Sequence, residues 1–541
     1  MFSRRPAAID GGIYDMWRRL LAGFAALLLA VTVSVVASPA PAAEAAAPAW
    51  LKTKGSKIVS ATTGATFTIK ATSWFGMETD TCAPHGLWSI TVDQGMAQIA
   101  GMGFNTIRLP FSNECLAKRT SNSINTAINP TLAGKSPLQV MDAVVASARK
   151  YGIRIILDRH RPDSAAQSEL WYTKQYPEAR WIADWKKLAK RYQKNATVIG
   201  VDLHNEPRGK ACWGCGERAR DWRAAATRAG NAIHKVNARL LIIVEGVQYE
   251  QDGSVTWWGG GLRGVAKKPV SLTVKNRVVY SPHEYPLSVA YQPWFSAKNY
   301  PNNLTAIWER NWGYIATKNI APVFIGEFGT KLETSSDKKW LAKLTSYIKT
   351  KRMSWAYWSF NPNSGDTGGL LKDDWYTRQK AKLTALKPIL TPKKVAYPPA
   401  PKPTTPPQPT PTPQPSSSAQ PSPDPSVGKS SSSSSNGTSA TMTITSAWPG
   451  AYQVGLTVKA PAKAATKSWR ASWVSPGATS IDSAWGMDCT LTNAAKTTAK
   501  VTCAGKNWGL DNLTPGGRVD VGVIVKAPKG PNPPKLSLAA S

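Results

Sequence analysis

Two glutamates each end a strongly apolar run of the sequence and have the chemistry of a catalytic pair. Glu206 directly precedes Pro207, and Glu327 lies in the segment IGEFG. Two carboxyl groups facing each other across a cleft are what cleavage of a glycosidic bond requires, since one protonates the leaving oxygen while the other attacks the anomeric carbon. The structural alternatives are a turn-forming role for Glu206 and an ion pair at a strand end for Glu327. The pair predicts a glycosidic site that needs no metal.

The elements that position this pair form a repeating pattern. Short β-rich runs recur at intervals of about 30–45 residues, separated by segments with helical spacing such as Ile182–Tyr192 and Trp222–Val236. The runs are Thr66–Phe75, Asn105–Phe111, Arg154–His160, Val198–Glu206, Leu240–Val247, Val278–Tyr285, Val323–Phe328 and Met353–Phe360. Eight repeats of strand then helix predict an α/β fold, a (β/α)8 TIM barrel over residues 50–397.

The runs end in polar or aromatic residues, as expected at the mouth of such a barrel, where the C-terminal strand ends hold the site. These residues are Arg108, Asp158, Arg159, His160, Asn205, Glu206, Glu245, His283, Tyr285, Glu327 and Trp358. Glu206 and Glu327 end the fourth and seventh runs, so we expect them on roughly opposite sides of the mouth.

Composition excludes some classes of protein and leaves others open. The 541 residues are 42% hydrophobic, which rules out a wholly disordered or collagen-like chain. The net charge of +34 would suit a nucleic-acid binder, but the basic residues are scattered singly and charged residues make up only 18% of the chain. We therefore predict no nucleic-acid partner. The 23 tryptophans supply flat surfaces on which sugar rings stack.

The N-terminus has the order of a secretory signal peptide. Arg18 and Arg19 precede an uncharged stretch over residues 20–37 and then small residues around Ala42 and Ala43. We predict a signal over residues 1–43 and a secreted, extracellular chain with no membrane segment after cleavage. An exported chain oxidises its thiols, so the six cysteines suggest three disulfides.

The cysteines divide into three pairs. Cys82 and Cys115 lie just past the first two strand ends, which are neighbours in a barrel, and Cys212 and Cys215 form a local C-x-x-C. Cys489 and Cys503 are also predicted to be disulfide-bonded. None of the five histidines lies in a zinc motif, and we predict no metal and no cofactor.

Beyond the barrel the composition changes twice. Thirteen prolines lie between Pro398 and Pro425, followed by the serine run Ser430–Ser435, so residues 398–437 are predicted to be a linker. Residues 438–541 contain alternating runs with Gly/Pro punctuation, which predict an all-β sandwich.

The motifs IRLPF, ILDRHRPD, DLHNEP, SPHEYP, IGEFG and YWSFNPNSGDTGG resemble glycoside hydrolase family 5, in particular its bacterial endo-β-1,4-glucanases, or cellulases. The resemblance implies that Glu206 is the acid/base and Glu327 the nucleophile of a retaining enzyme. It implies substrate-binding roles for further residues, namely Arg108, His160, Asn205, His283, Tyr285, Trp358 and Trp88, with Trp257 or Trp258 as additional stacking candidates. Ser164 departs from the close relatives, which have a cysteine there.

The segments AWPGAY, KSWRASW, SAWG and NWGLDNLTPGG resemble a family 2 carbohydrate-binding module. The resemblance implies a strip of exposed tryptophans, Trp448, Trp485 and Trp508, that binds cellulose. These three have turn-like surroundings, whereas Trp469 and Trp473 lie within a predicted strand.

The sequence predicts a secreted, monomeric endo-β-1,4-glucanase whose partner is cellulose or a related β-glucan. Three alternatives remain: the same mechanism on mannan, xyloglucan or mixed-linkage glucan; a non-catalytic polysaccharide-binding protein; and a cationic nucleic-acid binder.

Overall fold

The computed structural model describes residues 48–398, 426, 428–448, 450–485, 487–505, 512–532 and 534–541. The predicted signal peptide, residues 1–43, and most of the predicted linker lie outside these ranges. Among the helices of the described residues, none combines the length and apolar composition needed to cross a bilayer.

The larger region contains a short antiparallel hairpin and an eight-stranded parallel barrel. The hairpin is β1 (Leu51–Lys54) and β2 (Lys57–Ser60). The barrel strands are β3 (Lys70–Ser73), β4 (Thr106–Ser112), β5 (Arg154–Arg161), β6 (Val198–Asp202), β7 (Leu241–Glu245), β8 (Val278–Ser281), β9 (Phe324–Phe328) and β10 (Ser354–Tyr357). Their order is β8-β7-β6-β5-β4-β3-β10-β9, and parallel bridges Tyr280↔Val323 and His283↔Glu327 join β8 to β9. The predicted TIM barrel is confirmed.

The helices are α1 (Val92–Met102), α2 (Pro137–Lys150), α3 (Glu178–Arg191), α4 (Trp222–His234), α5 (Leu304–Trp308), α6 (Tyr314–Thr317), α7 (Ser335–Lys351) and α8 (Lys380–Leu386). The expected alternation fails once, because the described segment between β7 and β8 has only a 3-10 turn, Arg263–Ala266, and no α-helix. That segment contains Gly253, Gly259, Gly260, Gly261 and Gly264, and glycine is a poor helix former.

Apolar side chains fill the barrel from its N-terminal end. Residues from alternate strands, such as Ile156, Leu241 and Phe324, form one buried cluster with Leu51 and Ile58 of the hairpin. A larger cluster lies between the strands and the surrounding helices. Because the lower part of the barrel is packed with apolar groups, the polar strand ends occupy its other end.

The C-terminal region is a sandwich of two antiparallel sheets. Its strands are β11 (Ser430–Ser435), β12 (Thr438–Trp448), β13 (Ala451–Lys459), β14 (Trp469–Val474), β15 (Ser480–Trp485), β16 (Met487–Thr492), β17 (Lys500–Gly505), β18 (Arg518–Lys526) and β19 (Ser537–Ala540). The sheets have the orders β11-β12-β13-β18-β15 and β16-β17-β14-β19. Trp469 and Trp473 are buried in the core between them, as expected for strand residues.

The serine run was assigned to the linker, and this part of the prediction is wrong. Ser430–Ser435 is a strand that pairs with β12 through residues 438–443. Ser431, Ser433 and Ser435 also accept hydrogen bonds at Oγ from the backbone N–H groups of residues 536, 538 and 540 in or beside β19. Hydroxyl groups therefore replace backbone carbonyls as acceptors where the strand meets the second sheet, a role that composition does not reveal.

Three disulfides join the six cysteines. The pairs are Cys82–Cys115, Cys212–Cys215 and Cys489–Cys503. The N–H and Oγ of Ser164 donate to Glu114 Oε2 at 2.7 and 2.8 Å. Hydrogen bonds therefore tie down the loop after β5.

Candidate active site

A single guanidinium group organises the upper end of the barrel. Arg108 lies within β4 and is fully buried. Its nitrogens lie 3.1 Å from Asp158, 2.9 Å from Asp202, 3.0 Å from Glu245 and 2.5 Å from Glu327. These carboxyl groups come from four different strands, so one cation holds them together beneath the mouth.

Glu327 is held at both carboxylate oxygens. Oε1 accepts from Arg108 Nη1, and Oε2 accepts from the Tyr285 hydroxyl at 2.6 Å. The backbone carbonyl of Glu327 accepts the N–H of Glu284, beside the bridge that closes the barrel. Donors on both oxygens fix the orientation of the carboxyl group and stabilise its negative charge.

Glu206 lies in the loop after β6 and is held differently. Its φ of +55° is in the left-handed region, and its backbone N–H donates to Glu245 Oε2 at 2.7 Å. Its Oε1 is 3.2 Å from His283 Nδ1, which is also 3.5 Å from Glu327 Oε2. One carboxylate oxygen of Glu206, one of Glu327 and a ring nitrogen of His283 all lie within 4.8 Å of one another. The two predicted catalytic residues therefore meet across one short gap.

The electrostatics of the pair depend on His283. Burial acts to lower the pKa of His283, but the negative charges of Glu245 and Glu327 outweigh it and hold the pKa well above its ordinary value. Burial acts to raise the pKa of Glu206, but the hydrogen bond and charge of His283 lower it overall. Burial raises the pKa of Glu327 despite the opposing charges of His283 and Arg108.

Three buried acids, Asp158, Asp202 and Glu245, lie below the pair. The sequence indicated Asp158 and Glu245 only as polar strand ends and did not single out Asp202. Burial raises the pKa of Asp158 and of Asp202 to about 6, and that of Glu245 to about 8, although Arg108 acts in the opposite direction at each. These three carboxyl groups are close enough for a shared cation, and the guanidinium of Arg108 lies among them. Each ends an apolar run, which was the available sequence signal.

His160, Trp358 and Asn205 complete the floor of the site. His160 Nδ1 is 2.7 Å from Asp158 Oδ2, and burial lowers the pKa of His160 to about 4, so the ring is neutral near pH 7. Its ring stacks on Trp358 with centroids 5.2 Å apart. Asn205 Oδ1 accepts from Arg108, while its buried Nδ2 has no acceptor among the described residues. This amide donor is available to a ligand.

The remaining predicted tryptophans differ in exposure. Trp88 is partly buried and packs edge-on against Trp375. Trp257 is buried beside Tyr285, whereas Trp258 is 45% exposed and has the Arg208 guanidinium 4.1 Å above its ring. Of the two adjacent residues, only Trp258 presents a stacking surface.

The tryptophan strip predicted for the C-terminal region lies largely outside the residues that the structure describes. Trp448 and Trp485 are the last residues of β12 and β15, so they end strands and do not lie in turns. Their side chains, and all of Trp508, lie outside the described part of the chain.

Both regions of the chain match known protein families. Residues 62–364 match the family described as cellulase (glycosyl hydrolase family 5), and residues 438–539 match the cellulose binding domain family. The barrel, the carboxyl pair and this match define a glycoside hydrolase. The chain belongs to glycosyl hydrolase family 5 and has a family 2 cellulose-binding module at its C-terminal end.

Individual relatives resemble the chain over the barrel. An endoglucanase of Paenibacillus polymyxa is 51% identical over 360 residues, covering 66% of this chain and 90% of its own length. The major extracellular endoglucanase of Xanthomonas campestris pv. campestris is 39% identical, covering 66% and 75%. The solved hyperthermophilic endocellulase of Pyrococcus horikoshii is 38% identical with a TM-score of 0.60, covering 63% of this chain and 99% of its own.

Proposed function

We propose that the protein is a secreted, retaining endo-β-1,4-glucanase. The observation that carries the proposal is the short separation of Glu206 and Glu327, with an oxygen of each within 4.8 Å. Retaining enzymes hold their carboxyl groups about 5–5.5 Å apart, whereas inverting enzymes need about 6.5–9.5 Å to admit a water molecule. The gap favours direct attack by a carboxylate.

The reaction proceeds in two balanced steps. Glu327 attacks the anomeric carbon, and the bond to the leaving sugar breaks as Glu206 gives its proton to the glycosidic oxygen. Glu206, now a carboxylate, takes a proton from water, whose oxygen attacks the anomeric carbon and releases Glu327. Both carboxyl groups return to their starting states.

The hydrogen-bond donors around Glu206 and Glu327 are the basis for assigning the acid/base and the nucleophile. The pKa directions in the free site would by themselves favour the opposite order, since the pKa of Glu327 is raised and that of Glu206 lowered. Interacting carboxyl groups titrate as a pair, however, and bound substrate changes their surroundings. Arg108 and Tyr285 donate to both oxygens of Glu327 and so stabilise the charge of a nucleophile. Among the described residues, the carboxyl group of Glu206 accepts only from His283, which leaves its other oxygen to exchange a proton with a ligand.

The neighbouring groups suit a sugar in the cleft. The free Nδ2 of Asn205 can donate to the 2-OH, a contact that strengthens in the transition state. Trp358, backed by His160 and Phe75, offers a stacking platform, with Trp88 and Trp258 as further contacts.

The substrate is proposed to be cellulose. Relatives named endoglucanase and the match to a cellulose-binding family support it. Trp448, Trp485 and Trp508 are the proposed contacts of the module with cellulose, and binding to the insoluble polymer should weaken when they are replaced by alanine. Secretion through the signal at residues 1–43 agrees with the extracellular relative from Xanthomonas.

The direct test is Glu327→Gln, with Glu333→Gln as the control on an exposed glutamate of the following loop. The proposal expects the first variant to bind cello-oligosaccharides and lose hydrolysis, and the second to remain active. Reducing-sugar release by the native enzyme should be greatest on carboxymethyl cellulose, compared with mannan, xyloglucan and mixed-linkage glucan. Full activity of Glu327→Gln would refute the catalytic assignment, and a clear preference for mannan would refute the substrate.

A further inference from the structure

Glu245 is a buried acid that the two-carboxylate mechanism does not use. It ends β7 and has no exposed surface. Its Oε2 accepts the backbone N–H of Glu206 at 2.7 Å. Its Oε1 accepts from Arg108 Nη2 at 3.0 Å and lies 3.3 Å from His283 Nε2. One side chain therefore contacts the backbone of the acid/base and the guanidinium that holds the nucleophile.

Glu206 depends on its backbone for position. Its φ of +55° is a conformation that side chains with a Cβ atom seldom adopt without support. Within the described part of the chain, its carboxyl group has one hydrogen bond, to His283, so the side chain alone does not fix the residue. The bond from its N–H to Glu245 holds this turn from inside the site, while Arg208 Nη1 donates to the carbonyl oxygen of Glu206 at 3.2 Å.

Glu245 is itself closely confined. A Cβ atom on Gly259 would lie 2.5 Å from Glu245 Oε2 and 3.4 Å from the Cα of Glu206, so only glycine fits over the carboxylate. The same glycine donates to the carbonyl of Pro207 and accepts from the N–H of Gly246. The loop that contains Gly259 therefore packs against one side of the Glu245 carboxyl group, and Arg108 donates to its other oxygen.

We propose that Glu245 is the positioning residue for Glu206. This inference rests on the proposed acid/base role of Glu206. The carboxylate of Glu245 fixes the turn that carries the acid/base relative to Arg108, and so relative to Glu327. Its loss should impair protonation of the leaving group more than attack by the nucleophile.

The test compares substrates that differ in their need for an acid. Phenyl β-cellobioside requires protonation of its leaving group, whereas dinitrophenyl β-cellobioside does not. Glu245→Ala removes the acceptor and should lower kcat on the phenyl substrate by about 10- to 100-fold, part of the total worth of general acid catalysis. Formation of the glycosyl-enzyme from the dinitrophenyl substrate, measured as the burst of dinitrophenolate, should change by less than about 3-fold.

A conservative variant supplies the positive control. Glu245→Gln keeps an oxygen that can accept the N–H of Glu206, but its amide NH2 replaces the oxygen that faces Arg108 Nη2 and His283 Nε2, so it should recover part of the loss. Glu250→Gln is the matched control, because Glu250 is a buried acid of the following loop that accepts from the N–H of Arg263, away from the pair. Its activity on both substrates should be close to that of the native enzyme.

Folding is checked by labelling Glu327 with a fluorinated dinitrophenyl cellobioside, which counts competent sites without using the acid. If Glu245→Ala does not fold, the test uses Glu245→Asp, whose side chain is one methylene shorter. This variant should also lose activity selectively on phenyl β-cellobioside, with a smaller fall in kcat. Equal losses on the two substrates, or no loss on phenyl β-cellobioside in a folded variant, would overturn the proposal.

A reference variant separates this inference from the function beneath it. Glu206→Ala should keep the dinitrophenolate burst, and added azide should restore turnover with β-cellobiosyl azide as product. Failure of that result would refute the acid/base role itself. A Glu206→Ala variant that behaves as expected, with no selective loss in the Glu245 variants, would refute only the positioning role.

Discussion

The centre of the barrel and the C-terminal sandwich use polar groups in opposite ways. In the barrel, four carboxyl groups lie buried together around Arg108, which is the partner they share. In the sandwich, the buried cluster is apolar, and a ladder of serine hydroxyls joins the two sheets along β11. Catalysis needs charges that are fixed and shielded from water, whereas the sandwich uses neutral hydroxyl groups to join its sheets.

The largest expected difference between the two regions comes from removing a cation. Arg108→Met leaves the buried carboxyl groups without their shared partner, and we expect a loss of about 3–5 kcal/mol in the free energy of unfolding, together with loss of activity. Arg470→Met, at an exposed position of β14, should change the free energy by less than about 0.5 kcal/mol. Calorimetry of the full chain measures both, and similar losses would contradict the contrast.

The serine ladder gives the matching test in the sandwich. Replacing Ser431, Ser433 and Ser435 together by alanine leaves three backbone N–H groups without acceptors, and we expect about 2–3 kcal/mol of destabilisation in the transition of this region. The control replaces Ser430 and Ser432, whose hydroxyls contact threonine hydroxyls at the exposed face. An equal effect of the two sets would show that the ladder is not what joins the sheets.

One hydrogen bond in the barrel should affect rate more than stability. Tyr285→Phe removes the donor to Glu327 Oε2, a bond to a charged group worth about 1.5–3 kcal/mol, so kcat should fall by about 10- to 100-fold with little change in KM. Tyr376→Phe is the control, since that exposed hydroxyl donates to the carbonyl of Ser89. A purely KM effect for Tyr285→Phe would argue against support of the nucleophile.

Stability should also depend on pH through the buried acids. The folded pKa of Asp158 and of Asp202 is about 6 and that of Glu245 about 8, all above their ordinary values, mainly because of burial. Between the ordinary and the raised values, the folded protein binds more protons than the unfolded chain, so stability is lost as pH rises. The pKa of His283, raised by its carboxylate neighbours, acts in the same direction. The pKa of His160, lowered by burial to about 4, acts in the opposite direction up to its ordinary value of 6.5. The Tm of the barrel should therefore fall from about pH 6.5 to about pH 8, and a rise over that range would contradict this account.

Much of the site was accessible from the sequence because its residues end apolar runs. Glu206, His283 and Glu327 were found in this way, and the barrel places them together. The role of Glu245 was not accessible, since it arises from contacts with Arg108 in β4 and with Glu206 in the loop after β6. Partners across a barrel are set by three-dimensional packing, and no local pattern encodes them.

Two predictions were wrong because the average composition of a segment did not determine its local structure. The serines of β11 have the composition of a linker, but their hydroxyls serve as acceptors for the second sheet. The fifth barrel repeat was expected to contain a helix, yet its glycines instead form a loop in which Gly259 packs over Glu245. In both places a special contact outweighed the average tendency of the residues.

The central claim is that Glu327 attacks the sugar directly across a gap too short for an intervening water molecule. Proton NMR during the first minutes of cellotetraose hydrolysis measures it most directly, because the new reducing end appears before it mutarotates. The account predicts that the β-anomer appears first. Initial release of the α-anomer would require inversion and would contradict the proposed mechanism.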